Sequence, residues 1–186
     1  MNMKTKWYKN KAFMGGFIII VMIASTIGFA LFQGGDESSK TEYNGFKFYQ
    51  QEGGWLTIIN NQKFGFRYLP EELENISMGI INTGTNRIYI VYDPLTDLNK
   101  DYFFNRVGGT LMYMGITPQL ACDKDEGCSN IPVRSCKDEF SMLYLKSGNE
   151  TKAYNEDNCL VVEAKDNIEL DKLSERIMYK LLGVMG

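Results

Sequence analysis

The sequence predicts an α+β fold: an N-terminal transmembrane helix, an antiparallel β-meander, then a β-α-β-β-α unit forming a mixed sheet with helices. Three observations lead there. A run of 21 residues without charge, 12–32, stands near the start of the 186-residue chain. Short β-forming runs separated by Gly and Asn turns follow it. Two later segments repeat apolar residues at helical spacing.

The apolar run would form a helix of about 31 Å, close to the hydrocarbon thickness of a bilayer. Lys4, Lys6, Lys9 and Lys11 precede it, and Asp36 and Glu37 follow it. The positive-inside rule then makes residues 1–11 a cytoplasmic tail, 12–32 a single-pass transmembrane helix, and the rest extracytoplasmic. Trp7 and Tyr8 stand where an interfacial aromatic belt is expected. A cleaved signal peptide competes, with Gly28-Phe29-Ala30 as its processing site, but the apolar run is long for one. Ala24 and Gly28 form a small-xxx-small pair, a pattern common in membrane helices without partners.

Residues 33–43 are polar and contain Gly and Ser, which predicts a flexible stalk. An extracytoplasmic domain, 44–186, follows. Its meander, 44–70, has strands at 46–49, 55–59 and 63–68, with aromatics alternating against Gly and Arg in the third. Pro70, Glu71 and Glu72 suit a short helical start. The second part, 80–186, opens on the continuous apolar strand 87–92, the pattern of a strand covered on both faces. Phe103, Val107, Leu111 and Met114 then predict a helix ending before Gly115. Gly108 and Gly109 inside it cost about 2 kcal/mol relative to two Ala, which close packing onto the sheet would explain. Strands are expected at 140–146 and 158–164. Leu170, Leu173, Ile177, Leu181 and Val184 give the last helix one apolar stripe. Asp166 and Glu169 fit a capping box at its start, and Arg176, Lys180 and Gly183 suit its end.

Charge and residue types exclude several functions. Four of the 20 basic residues precede residue 33, leaving 16 against 23 acidic ones, a net of −7 beyond the anchor. A nucleic-acid partner calls for the opposite sign. The chain has no His, so it can hold no His-based catalytic dyad, triad or zinc ligand. Cys122, Cys128, Cys136 and Cys159 all lie on the expected outer side, where an even number favours two disulfides. Three pairings are open, and local geometry suggests Cys122 with Cys128, leaving Cys136 with Cys159. The spacings fit neither a zinc knuckle nor a Cys-x-x-Cys redox pair.

Residues 123–127 resemble a fragment of a calcium loop, but Gly127 and Arg134 occupy ligand positions, so a solvated acidic loop is the better reading. Asp93, Thr96 and Asp97 follow the most apolar strand, where ligands bind in open α/β sheets. They are candidates for a ligand or cation, against ordinary turn and cap chemistry. Asn75 and Asn149 begin sequons in expected loops. No phosphate loop, nucleophile elbow or dinucleotide fingerprint occurs, and no cofactor is implied.

Several stretches resemble uncharacterised membrane-anchored surface proteins of archaea. These are Tyr43 to Phe48, Trp55, Phe66 to Leu73, Cys122, Cys128, Ile131 to Val133, Cys136, Asn158-Cys159 and Tyr179 to Gly183. The resemblance implies a cell-surface location with Cys pairing outside, and it carries no activity. The expected function is a non-enzymatic binding or structural component of the cell envelope, meeting the bilayer and other envelope or membrane proteins. The alternatives are a carboxylate- or metal-dependent extracytoplasmic hydrolase and a subunit of a surface filament or membrane complex.

Overall fold

The computed structural model describes Met22 and residues 39–128 and 130–186. The expected tail, the rest of the expected transmembrane segment and most of the expected stalk lie outside the described residues. Among the described residues no helix is long and apolar enough to cross a membrane. The chain divides into two units, and the second, Ser39–Gly186, is the α+β domain.

A four-stranded antiparallel meander opens the domain, in the order β1 (Lys40–Tyr43), β2 (Phe46–Gln51), β3 (Gly54–Ile59) and β4 (Gln62–Phe66). Asn44-Gly45 and Asn60-Asn61 all take positive φ, the backbone that a two-residue hairpin turn requires. Alternation turns Phe48, Thr57, Ile59 and Phe66 inward, where each is buried. The first strand uses residues whose composition reads as stalk. Thr41 and Tyr43 point inward between Lys40 and Glu42, and so short a polar alternation carries almost no hydrophobic signal. A 3₁₀ turn at Pro70–Leu73 then seats the fully buried Leu73.

The second sheet has five strands in the order β6-β5-β7-β9-β8. These are β5 (Arg87–Tyr92), β6 (Thr117–Cys122), β7 (Met142–Ser147), β8 (Lys152–Glu156) and β9 (Cys159–Ala164). All neighbours are parallel except the antiparallel pair β8 and β9, so the sheet is mixed. Ile88 to Tyr92 are all buried, as a strand covered on both faces requires. Both outer strands are shielded by other chain segments. Met78 bridges Ala153 on β8, and Val133 bridges Cys122 on β6, so each free edge is covered at one position.

Between β5 and β6 the chain forms α1 (Lys100–Phe103), a π segment (Phe104–Gly108) and α2 (Gly109–Tyr113). Phe103, Val107 and Leu111 are fully buried at the spacing the sequence shows, whereas Met114, the fourth residue of that pattern, caps the helix and is exposed. The two glycines differ in role. A Cβ on Gly108 would meet the Pro118 ring at 3.4 Å, whereas one on Gly109 would meet nothing within 4 Å. Gly109 has helical φ, so Gly109→Ala should raise stability by about 0.5–1 kcal/mol, read as an increased urea midpoint with unchanged slope.

The last helix, α3 (Asn167–Leu181), lies against the same core. Asp166 caps it, accepting from the Ile168 and Glu169 amides, while the Glu169 side chain pairs with Lys172. Only the forward half of a capping box is therefore made. Tyr179 joins the helix to the meander. Its ring stacks on Phe66 at 4.1 Å and its hydroxyl donates to the Tyr68 carbonyl at 2.7 Å. The opposite face of the second sheet holds a smaller cluster with Tyr89, Val91 and Val161, against which Cys136 packs.

Candidate functional site

The two disulfides serve different faces of the second sheet: Cys122 and Cys128 belong to the main core, and Cys136 and Cys159 to the smaller cluster. Cys122, the last residue of β6, bonds Cys128 in the next loop, and Cys136 bonds Cys159 at the start of β9. The Cα separations are 6.4 and 5.1 Å, within the usual range for bridged residues. Arg134, between the bridges, lies over the rings of Tyr89 and Phe140 at 4.9 and 5.3 Å.

Near the carboxyl ends of the parallel strands, Asp93, Thr96 and Asp97 each engage a different partner. Asp93 accepts from the Leu95 amide and pairs with Lys124, both at 2.8 Å. The Lys124 ammonium, followed by that amide, holds the Asp93 carboxyl below its ordinary range. Thr96 bonds Ser147 across to the end of β7. Asp97 is exposed, and its carbonyl accepts from the Asn167 side chain. Asp123 joins this end by accepting from the Tyr144 hydroxyl at 2.8 Å. Among the described residues no three Cys or acidic side chains gather closely enough to hold a metal ion. Asn75 and Asn149 lie exposed in a turn and a bend.

The most elaborate polar arrangement lies elsewhere, where the meander meets α1, the π segment and α3. Asp171 and Glu175 sit one turn apart on α3 and are nearly inaccessible, with side-chain exposures of 4% and 1%. Arg67, just beyond β4, pairs with Asp171 at 2.6 Å, and the Tyr102 hydroxyl donates to the other Asp171 oxygen. Arg106 pairs with Glu175 at 2.8 Å and donates to the Gly65 carbonyl at 3.0 Å. The Arg67 and Tyr68 amides also donate to Glu175. Burial pushes the Glu175 carboxyl up, opposed by these amides and by Arg106. The network borders an open cleft of about 350 Å³, whose walls include Gln51, Glu52, Trp55, Arg67, Tyr102 and Arg106.

A cavity of about 190 Å³ at the other end of the sheet includes Ile80, Phe140 and Asn155 in its walls. The Asn155 amide is committed to both the N–H and the carbonyl of Ile80. The cavity's other polar walls, among them Asn82, Glu139, Asp157 and Asn158, carry no cation, whereas the cleft carries two guanidinium groups.

Sequence patterning passes over this network because its partners are far apart in the chain. One signal was present: Asp171 and Glu175 stand at i, i+4 beside the apolar stripe of α3, a poor place for unpaired acids. The network also has a pH signature. Burial, then the bond to Asp171, pushes the Tyr102 hydroxyl from 10.0 to about 12. Its contribution to stability is complete below pH 10 and is lost as pH rises through about 12. Tyr102→Phe should flatten that part of the stability profile, measured by denaturant midpoints across alkaline pH.

Comparison with family models, curated proteins and solved structures gives no match for this chain.

Proposed function

We propose that the chain is a single-pass membrane protein whose disulfide-bonded α+β domain faces outward as a non-enzymatic binding or structural component of the cell envelope. The observation that carries this reading is the pair of disulfides, because such bridges persist in oxidising compartments. The uncharged run 12–32, with four Lys before it and acids after it, supplies the anchor and its orientation. The sequence resemblance to membrane-anchored archaeal surface proteins points the same way.

Binding is favoured over catalysis by how the acids are used. Glu175 accepts from two backbone amides and a guanidinium, and Asp171 from a guanidinium and a phenol. Carboxylates engaged in this way hold shape, whereas a general base needs an oxygen free to reach its substrate.

Protease added to intact cells tests the reading. Digestion of the domain outside, with a membrane-protected N-terminal fragment, is expected. Intact mass under non-reducing conditions should not change on alkylation. A domain protected until lysis, or uptake of alkylating reagent at the cysteines, would overturn it.

A further inference from the structure

We propose that the cleft between the meander and the helices binds a neutral carbohydrate; this rests on reading the domain as an extracytoplasmic binding module. The first argument is electrostatic. Arg67 and Arg106 are the two cations in the cleft wall, and each is already met by a carboxylate, at 2.6 and 2.8 Å. Glu52 on the rim adds a further negative charge, so the wall carries no net positive charge to draw a phosphate or carboxylate. The cleft thus presents hydrogen-bond donors without the attraction for anions that free arginines give.

The second argument is the pattern of groups. Trp55 supplies a planar apolar surface at the wall. Arg67 commits one guanidinium nitrogen to Asp171, and its side chain remains 62% exposed, so further N–H donors face the cleft's solvent. Gln51, the last residue of β2, and Glu52, in the turn that follows, are exposed and place acceptors on the rim. A sugar ring has the complementary pattern, with apolar C–H groups on its faces and hydroxyls that donate and accept around its edge. The volume, about 350 Å³, falls in the lower part of the range for small-ligand sites.

The third argument is rigidity. Asp171 and Glu175 hold the two guanidinium groups before any ligand arrives, and Arg106 is fixed further by the Gly65 carbonyl. Donors held in advance reduce the ordering cost of binding.

Trp7 and Trp55 are the two tryptophans of the chain, so Trp7→Phe leaves Trp55 as the sole reporter. Full-length detergent-solubilised Trp7→Phe protein would be titrated with chitohexaose, mannohexaose and cellohexaose, and with inorganic phosphate and acetate as anionic controls. At least one hexasaccharide should shift Trp55 emission saturably, and neither anion should. The double variant Gln51→Ala/Glu52→Ala alters two exposed residues and should weaken that response about tenfold. Arg67→Met should do the same, with near-ultraviolet circular dichroism confirming an intact fold. The proposal is overturned if no hexasaccharide gives a saturable shift, if phosphate or acetate does, or if the double variant binds as tightly as its parent. Failure here leaves the protease result untouched, and sugar binding by a domain protected in cells would overturn the location alone.

Discussion

Glu175→Ala is expected to lower the stability of the domain by about 3–5 kcal/mol, a fall in thermal midpoint on the order of 10 °C. Two costs add. Arg106 loses its carboxylate partner at a site where its Nε is already buried and unbonded. The Arg67 and Tyr68 amides, just past the end of β4, lose their acceptor together. A second variant separates the two costs. Replacing the ion pair by apolar side chains of similar size, as in Glu175→Leu/Arg106→Met, removes the unpaired charge but still leaves two amides without a partner. Each orphaned amide costs about 1–3 kcal/mol. The double variant should therefore remain destabilised, by less than Glu175→Ala. A double variant as stable as the parent would show that Glu175 acts only as a counter-ion.

Removal of the Cys136–Cys159 bridge by Ala at both positions is expected to cost about 3 kcal/mol by the loop-closure argument, and removal of Cys122–Cys128 about 2 kcal/mol. The difference follows from the sequence separations of 23 and 6. The first loss also releases the start of β9 from the segment that places Arg134 over Tyr89 and Phe140. Limited proteolysis should then cut within residues 123–141 at a protease level that leaves the parent intact. Thermal midpoints of the two double variants, compared under non-reducing conditions, give the order of the two effects. The reverse order would place the larger constraint at Cys122–Cys128.

How legible the domain is depends on where each strand lies in its sheet. β5 and β9 lie between two neighbours and are buried on both faces, so their residues are almost uniformly apolar. Both stand out in the sequence, and β7 does too, starting two residues and ending one residue later than the expected 140–146. The outer strands β6 and β8 do not stand out. β6 carries Pro118, which the ladder tolerates because the strand is at the edge, and β8 is mostly polar. The same holds for β1 at the edge of the meander. An edge strand is defined by its single neighbour more than by its own residues, and a neighbour is not written in the local pattern.

The candidate cleft was less legible still. Asp93 was visible because it follows an apolar strand, and its partner Lys124 lies 31 positions away. Arg67 and Asp171 are 104 positions apart, and Arg106 and Glu175 are 69 apart. Nothing in a window of ten or twenty residues marks such a pair.

Local patterning carries the α+β class, two of the three inner strands, at 87–92 and 159–164, the start and end of α3, and the oxidising chemistry its cysteines suit. These follow from the periodicity of side chains along one segment and from residue type, both of which are local. The tertiary structure alone decided which acids meet which arginines, where the strands at 40–43, 117–122 and 152–156 pair, and how a cleft forms between the meander and the helices. Those outcomes depend on burial. A carboxylate that costs little in water must find a partner once the core closes over α3, and the fold decides which partner is within reach.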